Sequence, residues 1–173
     1  MFKRMTNVRV RSATAEDIRL LPAIEQSAAE RFPPSDLPAH HAQTTPLEEL
    51  RQGLAAKTLW VAEGEGAQVI GFMLCRVEGS SLHIAEMDVL PDRAGRGAGS
   101  RLLEAAFVAA IGMGLRSVTL TTFEHLPWNA PFYARRGFQP VADLSDFPHL
   151  GAALQAEAVM GLRRRVAMVW HPA

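Results

Sequence analysis

Residues 87–100 read MDVLPDRAGRGAGS, which is a glycine-rich loop. A β-prone run precedes the loop, and apolar residues at 102, 103, 106, 107, 110 and 111 follow it at the spacing of one helix face. Glycines at a helix start let the backbone approach a ligand, and the free N–H groups there favour an anion. This order of strand, loop and helix indicates a phosphate site, although glycines that merely permit a flexible turn explain it equally well.

Two familiar phosphate loops fit this stretch poorly. The Lys-Ser/Thr pair that ends a P-loop is missing, and the dinucleotide-binding fingerprint requires glycine where Leu102 stands. Position argues against the dinucleotide fold as well, because only about half of a βαβαβ sheet fits after Pro91. The loop therefore calls for a different fold.

The segments around the loop predict a mixed sheet. Three β-prone runs, 59–62, 69–77 and 82–90, are joined by turns too short for crossovers, so we expect them to pair antiparallel. Residues 117–122 form a strand reached through a helical crossover, which favours parallel pairing. Other predicted elements are strands at 8–11 and 165–170 and helices starting at Thr14 and Thr45 and spanning 129–136 and 152–161. We expect one α/β domain, residues 1–173, with a mostly antiparallel sheet of about six to seven strands flanked by helices.

The strand before the loop changes phase. Leu82 and Ile84 place apolar side chains at even positions, whereas Met87 and Val89 place them at odd positions. A β-bulge produces such a one-residue shift of face, and bulges are frequent beside active sites. An unbulged strand with a partly polar face is the alternative.

Composition excludes several function classes. Lys plus Arg and Asp plus Glu are each 18, so the net charge of zero argues against a nucleic-acid or membrane-surface binder. A single cysteine, Cys75, permits neither an intramolecular disulfide nor a multi-cysteine zinc site, and the six histidines are scattered, so we expect no metal and a cytoplasmic protein. The first twelve residues lack a signal-like apolar run, and the longest apolar run, 105–115, is too short to span a bilayer.

A second block, residues 127–138, reads PWNAPFYARRGF. With the glycine loop it resembles the GNAT superfamily of N-acetyltransferases. That family's acetyl-CoA motif reads Val-x-Pro-x-x-Arg/Gln-Gly-x-Gly-x-Gly/Ala, and its second motif reads Asn-x-x-x-Tyr-x-x-x-Gly-Phe. Both blocks occur in the family's order, and the resemblance covers most of the chain, least clearly from Pro33 to Ala56.

The resemblance implies acetyl-CoA as co-substrate. Residues 95–100 would hold the pyrophosphate, the backbone of Met87 and Val89 would pair with the pantetheine arm, and Asn129 would hydrogen-bond that arm. The family separates its fourth and fifth strands beside a bulge to admit the arm, so we expect a bulged, splayed fourth strand. The expected cofactor-binding residues are Met87, Val89, Ala94, Gly95, Arg96, Gly97, Ala98, Gly99, Ser100 and Asn129.

One position departs from the family pattern. Ala94 stands where the family has Arg or Gln, so one side-chain contact to the pyrophosphate is missing. Arg93 or Arg96 is a candidate substitute, with a solvent-facing Arg93 as the alternative. We expect weaker cofactor affinity.

The chemistry of acetyl transfer to an amine requires a base for the ammonium and an acid for the departing thiolate. Tyr133, which the resemblance places near the thioester sulfur, is the candidate acid. Glu86, at the phase break, is the candidate base, directly or through water, and a solvated strand carboxylate is the alternative. Glu124 and His125, at the end of the next strand, are the reserve base.

We therefore expect an acetyl-CoA-dependent N-acetyltransferase that acts on a primary amine of a small molecule or peptide by direct attack in a ternary complex. A non-catalytic acyl-CoA-binding or regulatory module of the same fold is the alternative. Acetylation of aminoacyl-tRNA would need a basic acceptor surface, which the zero net charge disfavours. No nucleic acid or membrane partner is expected, and a homodimer is left open.

Overall fold

The fold, in a computed structural model that describes residues 7–37 and 43–173, is a seven-stranded sheet with helices on both faces. The strands are β1 Arg9–Ser12, β2 Leu59–Glu63, β3 Val69–Glu78, β4 Ser81–Val89, β5 Ser117–Phe123, β6 Gln139–Pro140 and β7 Arg165–Trp170. The helices are α1 Leu21–Ala29, α2 Leu47–Ala55, α3 Ala98–Gly112, α4 Ala130–Ala134 and α5 Pro148–Val159. The strand order is β1-β2-β3-β4-β5-β7-β6, and in this described sheet β4 and β5 form the one parallel pair. The predicted mixed, mostly antiparallel sheet is confirmed.

Alternation along the strands divides the core between the two faces of the sheet. On β2 and β3, Trp60 and Met73 pack with α3, whereas Val61 and Phe72 pack in a second cluster with α1 and α2. Cys75 is fully buried beside Met73 and behaves as a small apolar residue.

The phase break in β4 is a β-bulge, so the unbulged alternative is wrong. In the register with β3, Leu74 faces Glu86 and Cys75 faces Ile84, which leaves Ala85 as the extra residue. Because of this extra residue, Ile84 and Met87 both pack in the α3 cluster although one number is even and the other odd. Glu86 is thereby turned to the face of the sheet that carries α1.

Element boundaries differ from prediction where short segments or proline decide them. The predicted helix 129–136 is helical only over Ala130–Ala134, and the chain leaves it through Gly137 at φ +90°. Helix α5 begins four residues before the expected start because Pro148 occupies its first turn, where a fixed φ favours the helix. Strand β6 has two residues, too few to show a pattern. Within the described ranges, none of the helices is long and apolar enough to cross a membrane.

Candidate active site

Separation of β4 from β5 opens the main cleft. The two strands pair only over Ser81–His83 and Ser117–Thr119, and beyond these residues β4 continues with β3 while β5 continues with β7. The gap leads into a cavity of about 890 Å³, within the range that small-molecule sites occupy. The splayed fourth strand expected from the sequence is confirmed.

The glycine loop forms one wall of the cleft. Gly95 and Gly97 have φ of +73° and +92°, and a Cβ built on either would meet no atom within 4 Å. Gly97 caps the N-terminus of α3 without a side-chain hydrogen bond, so the amide N–H groups of the first turn are left for a ligand. Open space beside free amides at the positive end of a fifteen-residue helix suits an anion such as a phosphate.

Three carboxylates that line the cleft form a cluster. Glu86 and Asp88 project from the bulged end of β4, and Glu25 reaches them from α1; carboxylate oxygens of the three lie within 4.8 Å of one another. Glu25 accepts hydrogen bonds from the backbone N–H of Thr45 at 2.8 Å and from its hydroxyl at 3.1 Å. Hard cations also bind to oxygen donors of this number and spacing. The expectation of no metal, which is drawn from the histidines and the cysteine, does not take these carboxylates into account.

Burial raises the pKa values of all three carboxyl groups, and the charge of Glu86 raises those of Glu25 and Asp88 further. Burial, then the charge of Glu86, raises the pKa of Glu25 to about 7. Burial also raises the pKa of Glu86, and burial together with the Glu86 charge raises that of Asp88 well above its usual range. The cluster therefore retains protons at a pH where isolated carboxylates hold none.

Arg165, a positive charge that acts on Glu86, is already paired. Arg165, on β7, donates to Glu157 of α5 at 2.9 Å and lies over the ring of Phe123, 4.5 Å from its centroid. Both residues line the cleft, and their pairing largely neutralises the charge of Arg165 there. The end of the cleft beside Glu86 consequently favours a cation.

Tyr133, on α4, lines the same cleft as the glycine loop and the carboxylates. Its ring is buried and packs edge-on against Phe132 and Phe138, at centroid distances of 5.2 and 5.6 Å. Burial, with the negative charges of Asp88 and Glu86, raises the pKa of the phenol above its usual value of 10. The hydroxyl therefore keeps its proton and is available as a donor inside the cleft.

A family profile described as the acetyltransferase (GNAT) domain matches residues 55–140, a range that contains the bulged strand, the glycine loop and Tyr133. The chain belongs to the GNAT family. It is accordingly an acetyl-CoA-dependent acyltransferase. The membership of the GNAT family expected from the two sequence blocks is confirmed.

Solved structures show the same fold. The N-acetylglutamate synthase of Neisseria gonorrhoeae, complexed with coenzyme A and N-acetyl-glutamate, matches 95% of this chain at 20% identity and a TM-score of 0.70; this chain spans 35% of that protein's length. The PaiA N-acetyltransferase of Thermoplasma acidophilum, in complex with coenzyme A, matches 96% at 13% identity and a TM-score of 0.71, over 99% of its own length. The ribosomal-protein-S18-alanine N-acetyltransferase of Escherichia coli matches 95% at 16% identity, over 93% of its length, with a TM-score of 0.67.

The expected residues of this GNAT domain are brought together with one exception. Glu86 and Tyr133 line the cleft with Met87, Val89, Ala94, Gly95, Gly97, Ala98, Gly99, Ser100 and Asn129. Arg96 is exposed and does not line it, so of the two arginines considered as replacements for the missing side chain at Ala94, only Arg93 reaches the wall. The loop and strand fit the pyrophosphate and pantetheine of acetyl-CoA, because an open glycine cradle and a strand edge freed by splaying are both present.

Asn129 is fixed by the end of β5. Its side-chain oxygen accepts from the Thr122 hydroxyl at 2.6 Å and from the Phe123 N–H at 3.4 Å. Among the described residues none accepts from its amide nitrogen, which leaves a donor in the cleft for a carbonyl such as those of pantetheine.

The reserve base is not brought into the site. Glu124 is exposed, and His125 is tied by its Nε2 to Asp36 at 3.0 Å; neither lines the cleft. Both follow the last residue of β5, where the chain turns away toward the segment after α1. The expectation that Glu124 or His125 could act as the base in place of Glu86 is therefore wrong, because neither residue lines the cleft.

Sequence reasoning missed two members of the carboxylate cluster. Asp88 carried a usable signal, because a residue two positions from Glu86 on a strand shares its face. Glu25 carried none, since it reaches the cleft only through the packing of α1 on the sheet.

Proposed function

We propose that this GNAT domain transfers acetyl from acetyl-CoA to a primary amine that enters the cleft as a cation. The observation that carries the proposal is the cluster of Glu25, Glu86 and Asp88, whose carboxylate oxygens lie within 4.8 Å of one another in the cleft. An ammonium group supplies the counter-charge that three converging carboxylates lack. Acceptor class and direct attack in a ternary complex are both part of this proposal.

Glu86 is the proposed base. An ammonium has no lone pair and must lose a proton before it attacks, and burial brings the pKa of Glu86 nearer to that of an amine than an exposed glutamate's would be. Asp88 lies on the same face of the strand, and burial with the Glu86 charge raises the pKa of its carboxyl group, so Asp88 and Glu86 can share a proton as the ammonium arrives. Glu25 completes the cation-binding end.

Tyr133 is the proposed donor to the departing thiolate. When bound, acetyl-CoA supplies the activated acyl group. With reference pKa values of about 10 for a phenol and about 8.5 for a thiol, full proton transfer is uphill by roughly 2 kcal/mol, and the burial of Tyr133 adds to this. The hydroxyl therefore acts chiefly by donating a hydrogen bond to the charge that develops on sulfur.

The test is the pH dependence of a Glu86→Gln variant with an amine acceptor. Glutamine keeps the shape and removes basicity, so kcat/KM is expected to fall at pH 7 by about 10²- to 10⁴-fold and to recover partly at pH 9.5, where more of the amine is already neutral. Glu104→Gln, on the exposed side of α3, is the matched control and should retain the wild-type profile.

Two outcomes contradict the assignment of Glu86. A uniform loss at every pH shows that Glu86 binds the acceptor's charge without taking its proton. An unchanged rate at every pH removes Glu86 from the mechanism.

A further inference from the structure

Arg136 lies against the N-terminus of α3. Its Nε donates to the Ser100 hydroxyl at 3.0 Å, a second guanidinium nitrogen donates to the same oxygen, and a third donates to the Phe132 carbonyl at 3.2 Å. The guanidinium carbon lies 3.9 Å from the centroid of the Phe132 ring. These contacts fix the cation at the edge of the glycine loop, on the wall of the cleft.

This placement is electrostatically unfavourable in the protein alone. A helix N-terminus carries partial positive charge, so an arginine beside it meets like charge. Among the described residues no carboxylate lies within 4.0 Å of the Arg136 guanidinium, and Glu104, one turn further along α3, is paired with Arg101 at 3.2 Å. Burial and the neighbouring Arg135 lower the pKa of Arg136. A local conflict of this kind at a cleft is what a missing anionic ligand would relieve.

The same place lacks the side chain that the GNAT pattern supplies. Ala94 leaves the loop without its usual Arg or Gln. Arg93 reaches the wall and forms an ion pair with the exposed Asp92 at 3.5 Å, although its Nε donates no hydrogen bond among the described residues. Arg136 reaches the loop from the turn that follows α4, and its guanidinium has no carboxylate within 4.0 Å in the part of the chain that the structure describes. A planar guanidinium matches phosphate oxygens with two parallel hydrogen bonds.

We propose that Arg136 binds the pyrophosphate of coenzyme A together with the α3 amides and replaces the side chain that Ala94 lacks. Ser100 orients the guanidinium for this contact. The proposal rests on the cofactor site described above and makes Arg136 a binding residue, with no part in proton transfer.

The experiment is isothermal titration calorimetry of the full chain with coenzyme A, which needs no acceptor. Arg136→Ala is expected to weaken Kd by about 10- to 100-fold, as for the loss of a charge-assisted contact. Arg101→Ala removes the same charge from an exposed position one residue after Ser100 and is expected to change Kd by less than about twofold. Adding Ala94→Arg to Arg136→Ala is expected to restore most of the lost affinity.

Dephospho-coenzyme A, which lacks the 3′-phosphate, identifies the phosphate concerned. The Arg136→Ala loss is expected to persist with this ligand; its disappearance would assign Arg136 to the 3′-phosphate and overturn the pyrophosphate contact. Equal losses in the Arg136 and Arg101 variants would reduce the effect to net charge and overturn the proposal. If Arg136→Ala does not fold, Arg136→Lys is the second variant, because lysine keeps the positive charge but cannot donate two parallel hydrogen bonds. Wild-type affinity for coenzyme A in Arg136→Lys would overturn bidentate binding. No binding by the wild type would instead refute the cofactor site itself.

Discussion

Replacement of Glu25 by Gln tests, without any substrate, whether burial and charge repulsion in the carboxylate cluster destabilise the folded protein. Burial and the Glu86 charge raise the pKa of Glu25 from 4.5 to about 7. At 1.36 kcal/mol per pKa unit, an ionised Glu25 costs the folded state at most about 3 kcal/mol, and partial solvent access reduces this to roughly 1–2 kcal/mol. Glutamine keeps the oxygen that accepts from Thr45 and removes the charge.

The sign of the pH dependence follows from the direction of the pKa change. Because the pKa of Glu25 is higher in the folded than in the unfolded state, its favourable contribution is complete below about pH 4.5 and is lost as the pH rises through 7. The wild type should therefore lose stability between pH 5 and pH 8.5 relative to Glu25→Gln.

Urea denaturation at these two pH values measures the effect. The difference in unfolding free energy between variant and wild type is expected to shift in favour of Glu25→Gln by about 1–2 kcal/mol at pH 8.5, while Glu104→Gln shows no such shift. Identical pH dependence in wild type and Glu25→Gln would refute the proposed repulsion, and a shift of opposite sign would mean that Glu25 is stabilised as an anion.

Three further predictions address other parts of the molecule. Tyr133→Phe should keep coenzyme A affinity but lower the single-turnover rate by about 10²- to 10⁴-fold, and an unaltered rate would exclude the hydroxyl. Gly97→Val should abolish coenzyme A binding in calorimetry, whereas Gly114→Val, which imposes similar strain at φ +68° outside the cleft, should leave binding intact; equal effects would refute the phosphate cradle. Burial lowers the pKa of His83 to about 4, so stability should fall between pH 6.5 and 4 by up to about 3 kcal/mol, and His83→Gln should flatten that acid limb in urea titrations.

The fold was predictable because its deciding features are local in sequence. The odd-to-even change between Ile84 and Met87 locates the bulge, and short turns require antiparallel pairing of β2, β3 and β4. The order of strand, glycine loop and helix then places the splayed strands beside the α3 N-terminus. Strand β6 escaped prediction because two residues carry no periodicity.

The site was predictable only where its residues belong to these local features. Glu86 follows from the bulge and Tyr133 from the second block, but Glu25 and Arg136 come to the cleft from α1 and from the end of α4 through tertiary packing. Arg165 likewise comes to the cleft through tertiary packing, where it is half-buried and paired with Glu157. Ion pairs between different elements produce no regular spacing, so a single sequence gives no sign of them.

Acetyl transfer to an amine can be followed by mass spectrometry of candidate acceptors incubated with the protein and acetyl-CoA. Amino acids, polyamines, aminoglycosides and peptides form the panel, with hydroxyl analogues of matched length as controls and free thiol followed in parallel. We predict that at least one cationic amine gains an acetyl group on nitrogen, with one thiol released per acetyl transferred, while its hydroxyl analogue stays unmodified. Coenzyme A binding without acetylation or acceptor-dependent thiol release from any amine in the panel would contradict the account and identify a binding module in place of an enzyme.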